Sequence, residues 1–75
     1  MKAILKFDLN EDMYDYNMHI QALGMYSALH EMQQFLRGKT KYADDSMSDE
    51  ALNAYEECME YFNGVLADNQ VNLDL

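Results

Sequence analysis

The sequence has little of what usually stabilises a small protein covalently or divides a larger one into domains. Its 75 residues include no proline and no tryptophan, and Cys58 is the single cysteine, so no disulfide can form within the chain. No repeat or low-complexity segment marks a boundary, and we expect one domain over residues 1–75. A chain of this size buries only about 60 % of its unfolded surface, so its stability is marginal without a metal or a partner.

Basic residues are also scarce, because five Lys and Arg stand against fourteen Asp and Glu, for a formal net charge of −9. Repulsion from phosphate argues against direct binding of DNA, RNA or anionic lipid. The same charge fits a protein that binds a basic protein surface. It equally fits an excess of charge that only keeps a small protein in solution. Both interpretations stay open.

Long hydrophobic runs are lacking as well. One stretch without a formal charge, YNMHIQALGMYSALH over residues 16–30, is shorter than the ~18–20 apolar residues of a bilayer span and contains polar side chains. Lys6 and Asp8 interrupt the apolar start of the chain, which argues against a cleavable leader. Since the chain has a lone thiol and no recognisable leader, we expect a cytoplasmic protein with no membrane segment.

The first forty residues carry the patterns of a strand and a long helix. Residues 2–9 alternate between two sets of side chains, which predicts a half-buried strand. Asn10 is the predicted N-cap of a helix over residues 11–37, and Gly38 is its predicted C-cap. The apolar stripe of this helix has helical spacing and comprises Met18, Ala22, Met25, Leu29, Met32 and Leu36.

The second half of the chain predicts another helix and another strand. Ser48 is the predicted N-cap of the second helix, and Asn69 is a reasonable stop. Its apolar stripe comprises Leu52, Tyr55, Met59, Phe62 and Leu66. The tail over residues 71–75, VNLDL, alternates again and predicts a short strand. The expected fold class is α+β, mostly α: a β-α-α-β order with an antiparallel helical hairpin and short terminal strands.

A second face of the first helix is also uncharged. It comprises Tyr16, Ile20, Leu23, Gly24, Ser27 and His30. Glycine inside a helix costs ~1 kcal/mol relative to alanine and is tolerated where another backbone approaches closely. There are two candidates for the structure that buries this face. One is the pair of terminal strands, and the other is another subunit or a foreign protein. The sequence leaves both open.

The sequence contains no recognisable arrangement of residues for catalysis or metal binding. His19 and His30 share a helix face, but eleven residues at 1.5 Å each separate them by about 16 Å, too far for one metal ion. Glu56 and Glu60 are one turn apart, yet a chain this short has little volume for a catalytic cleft. Cys58 is on the apolar side of the second helix, where a thiol behaves as a small hydrophobe. We therefore expect no enzyme, no metal and no cofactor.

Two charged surfaces are candidates for binding. The acidic side chains expected to contact a basic partner are Asp44, Asp45, Asp49, Glu50, Glu56, Glu57 and Glu60. The residues of a candidate anion-binding patch are Arg37, Lys39, Lys41 and Tyr42. The first surface fits a basic groove on another protein, and the second fits a phosphorylated small ligand.

Three segments resemble a group of small acidic accessory proteins encoded by tailed bacteriophages. They are the opening KAILKFDLNED, the middle ALHEMQQFLRGKTKY and the ending VNLDL, so the resemblance covers almost the whole chain. The matching pairs are Leu36-Arg37, Lys41-Tyr42 and Asn72-Leu73. The chain departs from the group at Met18, Gly24 and Met25, which stand where bulkier or more polar residues are expected. The group has no established activity, so the resemblance implies only a setting: the cytoplasm of an infected bacterium.

These observations predict a protein that works by stoichiometric binding to a host or defence protein, with acidic mimicry of nucleic acid as one mode. The first alternative is a homo-oligomer, a dimer before any larger assembly, that binds a small phosphorylated ligand at a subunit junction. The second alternative is a virion or assembly component. No direct contact with nucleic acid or membrane is expected in any of them.

Overall fold

The computed structural model of the chain describes residues 1–41 and 45–74, and these residues form three helices. Helix α1 spans Met13–Ile20, α2 spans Ala22–Lys41 and α3 spans Asp49–Asp68. Helices α2 and α3 pack side by side. The Phe35 ring meets the Tyr55 ring near the connected ends, and the Tyr26 hydroxyl reaches the residue Leu73 beyond the other end of α3. The hairpin is therefore antiparallel, which confirms the helical part of the prediction.

The two predicted strands are wrong. Residues 1–8 and 71–74 contain no strand, and the described chain is all-helical, so the α+β class and the β-α-α-β order are overturned. The physical reason is the lack of a third strand: the two terminal runs had only each other to pair with, and an isolated two-stranded ribbon is marginal in water. Each run instead contributes one packed side chain, Phe7 and Leu73 respectively.

The turn that precedes α1 is organised by Asp8 and not by Asn10, the predicted cap. The Asp8 carbonyl oxygen accepts hydrogen bonds from the backbone N–H groups of Glu11 (3.0 Å) and Asp12 (2.6 Å). The Asp8 carboxylate accepts from the N–H of Asn10 (3.0 Å), and the Asp12 carboxylate accepts from the N–H of Asp8 (3.1 Å). These reciprocal bonds close a turn over residues 8–12 ahead of the helix. Helix α1 begins at Met13, with Asp12 as its N-cap and no side-chain hydrogen bond at that cap.

The predicted single helix is interrupted at Gln21. The Gln21 N–H donates to the carbonyl oxygen of Met18 at 3.2 Å, a tightened three-residue spacing, and its own carbonyl accepts from Met25 N–H at 2.9 Å. Gly38 does not end α2, because its φ is not positive and the helix continues to Lys41. A glycine terminates a helix when it adopts the left-handed conformation, and this one stays helical.

Helix α3 begins where the sequence predicted. Ser48 has an extended conformation (φ −69°, ψ 156°), and its hydroxyl oxygen accepts a hydrogen bond from the N–H of Ala51 at 3.2 Å. Asp49 and Glu50 lie in the first turn, where negative charge favours the positive end of the helix dipole. The predicted N-cap is therefore confirmed, and Asn69 is confirmed as the C-cap.

The core of the described chain is small. Its buried side chains are Leu36 of α2, Leu66 of α3 and Leu73 of the tail. The tail is held in place by the Tyr26 hydroxyl, which donates to the Leu73 carbonyl oxygen at 2.7 Å. At the other end of the chain, Phe7 packs its ring against Tyr16, with the centroids 5.7 Å apart. The core therefore runs along the α2–α3 contact and is closed by the tail.

Candidate protein-binding face

Helix α2 carries two adjacent stripes, each with alternating spacings of three and four residues. The stripe that faces α3, called the core stripe here, is buried or half-buried and comprises Tyr26, Leu29, Gln33, Leu36 and Thr40. The stripe beside it, called the outer stripe, is exposed and comprises Met25, Ala28, Met32 and Phe35. Sequence reasoning merged the two by placing Met25 and Met32 in one stripe with Leu29 and Leu36. The signal that separates them is the one-residue offset between two sets of equal spacing.

Helix α3 repeats this arrangement. Its core stripe is the predicted one, and all five residues, Leu52, Tyr55, Met59, Phe62 and Leu66, are buried or half-buried. Its outer stripe is exposed and comprises Ala54, Cys58, Tyr61 and Val65. Tyr61 is the clearest case, because 76 % of its surface is exposed although it lies in the middle of the helix. Its side chain therefore contributes little to the contact between α2 and α3.

The two outer stripes lie on the same side of the hairpin and border one groove. The groove has a volume of about 610 Å³, and Met32 lines it from α2 while Cys58, Tyr61 and Val65 line it from α3. Leu36 and Leu66 also line it, and Glu57 is the one charged residue among the described residues that line it. A second depression along α2 continues the surface and is lined by Ala28, Glu31, Met32 and Phe35. We call the two outer stripes and this groove the apolar face.

The other side of the hairpin is polar and acidic. A depression there of about 390 Å³ is lined by Thr40, Glu56, Met59, Glu60 and Asn63. Every predicted acidic residue within the described chain is exposed, namely Asp45, Asp49, Glu50, Glu56, Glu57 and Glu60. Asp44 lies outside the described residues. The structure thus brings Glu56 and Glu60 together on this acidic side, whereas Glu57 borders the groove.

The second face predicted for the first helix is divided between α1 and α2. Ile20 is 60 % exposed and Leu23 is 78 % exposed, and Gly24 and Ser27 are exposed as well. At the ends of this face, Tyr16 and His30 are half-buried, against the rings of Phe7 and Tyr26 respectively. The strand pair that was one candidate cover does not form in the described residues. A Cβ at Gly24 would meet nothing within 4 Å, so no backbone of the described chain approaches it.

The candidate anion-binding residues do not form one cluster. Lys39 places its Nζ 5.6 Å from the ring centroid of Phe35 and 5.8 Å from that of Tyr55, which is a cation–π arrangement. Arg37 is two positions earlier, about 200° away around the helix axis at 100° per residue. Lys41 shares the side of Arg37, one turn later. Tyr42 lies outside the described residues.

Neither a metal centre nor a membrane-spanning helix is found in residues 1–41 and 45–74. No three His, Cys, Asp or Glu side chains there are grouped so as to hold a metal ion. His19 hydrogen-bonds through Nδ1 to the Asp15 carbonyl oxygen at 2.7 Å, within its own helix. No helix in this part of the chain combines the length and apolar character that a membrane crossing requires.

The accessible surface is large for the mass of the chain. It measures 6708 Å², whereas the scaling for folded monomers gives about 4,800 Å² for a chain of 8.8 kDa. The radius of gyration is 17.5 Å, against about 11 Å for a compact domain of this length. The molecule is correspondingly elongated, at 55 × 27 × 19 Å. About 1,900 Å² of surface is thus in excess of what a self-contained domain would leave uncovered.

Comparison with protein-family models, with curated proteins and with solved structures gave no match to this chain.

Proposed function

We propose that this protein acts by stoichiometric binding to another protein and not by catalysis. The observation that carries the proposal is the two-sided hairpin, in which an open apolar groove lies on one side and exposed carboxylates lie on the other. An uncovered apolar face of this kind is typical of an association surface. With three buried side chains in the described residues, the hairpin is marginal alone, so association supplies stability as well as function.

The acidic side is the surface proposed to contact the functional partner. Glu56 and Glu60 are one turn apart on α3, are exposed, and belong to a chain with a net charge of −9. Such a surface complements a basic groove and accelerates encounter with it at low salt. The partner class is therefore a protein with a basic surface, and a nucleic-acid-binding protein fits it best.

The resemblance to small accessory proteins of tailed bacteriophages supplies the proposed setting. In that setting the target is a host or defence protein in the cytoplasm of an infected bacterium, and the acidic side occupies the place of nucleic acid. The alternative of a phosphorylated small ligand has less support, because Arg37 and Lys39 lie on different sides of α2 and Lys39 already covers two aromatic rings.

The test is capture of a partner from bacterial lysate by three purified versions of the chain. These are the wild type, the double variant Glu56→Gln/Glu60→Gln, and the control Glu11→Gln/Asp15→Asn, which removes the same charge from the other end of the chain. We expect one protein to be retained at an equimolar ratio by the wild type and the control. The first double variant should retain at least about tenfold less of it, and the affinity should fall with salt.

Two results would contradict the proposal. If no protein is retained at a defined ratio by any version, stoichiometric binding fails. If the captured protein is retained equally by both double variants and at all salt concentrations, then the acidic side is not the partner surface.

A further inference from the structure

We propose that the apolar face is covered by a second copy of this chain, so that two hairpins form a four-helix bundle. This inference rests on the proposed function, which requires association but does not itself say what covers this face. It assigns the face to self-association and leaves the acidic side of each copy free for the functional partner.

Helices α2 and α3 each carry two stripes, one more than a single hairpin uses. A helix in a four-helix bundle contacts two neighbours and therefore needs two adjacent stripes spaced three and four residues apart. Within one chain, α2 and α3 are each other's only long helical neighbour in the described residues, so one stripe per helix is used. Both helices nevertheless carry an outer stripe, and both outer stripes border the same groove. The hairpin has the surface of half a bundle.

The amount of uncovered surface also fits a second copy. The excess of about 1,900 Å² belongs to the whole chain, and the exposed residues 1–6 and the exposed Ile20 and Leu23 contribute to it. A standard interface takes ~800 Å² from each partner, so a second copy needs to cover less than half of this excess. The small core fits an obligate dimer, because obligate dimers complete their cores across the interface.

The apolar face combines small and large side chains, with Ala28 between Met25 and Met32 on α2 and Cys58 preceding Tyr61 on α3. A small side chain beside a large one leaves room for a large side chain of a facing stripe. A two-fold interface brings the same patch of both copies together. The side chains of the two outer stripes carry no formal charge, while Glu57 and Glu31 line the adjoining depressions and Lys39 lies over the Phe35 ring. Glu56 and Glu60 lie on the opposite side and would point outward from a dimer formed in this way.

The test is molar mass by analytical ultracentrifugation over a range of protein concentrations. We expect the wild type to reach twice the chain mass of 8.8 kDa. The variant Tyr61→Glu places a charge in the interface and should dissociate at least about 30-fold more readily. Because Tyr61 is exposed in the single hairpin, the variant should keep its helical circular dichroism. Gln34→Glu adds the same charge to an exposed α2 position away from the groove, and it should dimerise like the wild type.

Two further measurements keep the test decisive if Tyr61→Glu does not fold. Met25→Glu places the charge on the outer stripe of α2 and should weaken the dimer similarly. In the wild type, the reaction of the Cys58 thiol with a water-soluble disulfide reagent should slow as concentration rises, because a second copy covers the groove. Added salt should strengthen the dimer, since it screens repulsion between two chains of charge −9.

The inference is overturned by a chain that stays at 8.8 kDa, with constant Cys58 reactivity, at every concentration and salt. It is also overturned if the wild type dimerises and Tyr61→Glu and Met25→Glu dimerise equally well. A lysate partner that binds a monomeric wild type and is lost with Tyr61→Glu would assign the face to a foreign protein. In each of these cases the proposed function survives as long as capture still depends on Glu56 and Glu60.

Discussion

At the scale of single residues, the end of α3 holds the one left-handed non-glycine residue of the described chain. Gln70 has a φ of 57°, its N–H donates to the Ala67 carbonyl oxygen at 3.1 Å, and the N–H of Val71 donates to the Leu66 carbonyl oxygen at 2.9 Å. These two bonds form a Schellman motif. The left-handed conformation costs an L-residue other than glycine roughly 1–2 kcal/mol, so Gln70 carries a local cost that the rest of the tail offsets.

We therefore expect Gln70→Gly to raise the free energy of unfolding by about 0.5–1 kcal/mol. Glycine removes the cost of the left-handed conformation, but its greater conformational freedom in the unfolded chain cancels part of this stabilisation. Urea denaturation followed by circular dichroism at a fixed protein concentration measures the change. Gln70→Ala keeps the left-handed cost, so it should stay within about 0.5 kcal/mol of the wild type. A loss of stability in Gln70→Gly would contradict the motif.

Residue-scale prediction from the sequence succeeded where a cap acts locally. Ser48 and Asn69 were both predicted, because a hydroxyl or amide beside an apolar stripe satisfies helix ends whatever the rest of the chain does. Asn10 and Gly38 were wrong for a different reason. The reciprocal bonds between Asp8 and Asp12 compete with Asn10, and nothing in the sequence alone states whether a glycine will adopt positive φ.

At the scale of elements, the start of α3 is held by a side-chain cap, Ser48. Ser48→Ala removes the acceptor of the Ala51 N–H, so it should lower the free energy of unfolding by about 1 kcal/mol, and urea denaturation at a fixed concentration will measure this. Ser48→Asp retains an acceptor at the same place and should stay close to the wild type. An alanine variant as stable as the wild type would mean that this cap does not form in solution.

The helices were predictable and the strands were not. A helix forms its hydrogen bonds within its own segment, whereas a strand forms them with a second strand elsewhere in the chain. A stripe spaced three and four residues apart fixes α2 and α3 from local sequence. Alternation over residues 2–9 fixes a strand only if another strand pairs with it, which the sequence does not state. The predicted stripe of α2 combined Leu29 and Leu36, which meet α3, with the exposed Met25 and Met32, since two stripes of equal spacing run side by side on that helix.

At the scale of the whole molecule, the elongated shape leaves few buried side chains for its length. If a second copy covers the apolar face, folding and association are coupled, and mass action makes the melting temperature depend on concentration. We expect the melting temperature to rise as the chain concentration is raised 100-fold, measured by circular dichroism. Tyr61→Glu should show a smaller rise, and Gln34→Glu should match the wild type. A melting temperature that is constant for all three would argue for a self-sufficient monomer.

The candidate site could be predicted only in part, and the missing part is a property of the assembled surface. The sequence placed Ile20 and Leu23 on a second uncharged face without deciding what covers it, and both are exposed. On α3, the sequence placed Cys58 on the apolar side of the helix, but sequence spacing shows only which residues share a side and not how far a single neighbouring helix covers them. For that reason Tyr61 was not among the predicted site residues.

The hydrogen bond from Tyr26 to Leu73 makes the two termini unequal in how much deletion they tolerate. Removing the segment after Val71 deletes one of the three buried side chains of the described chain together with the acceptor of the Tyr26 hydroxyl. Removing residues 1–6 deletes only exposed side chains, and Phe7 is the first residue from that end to pack. A shortened version for crystallisation should therefore be trimmed at the amino end and left whole at the carboxyl end.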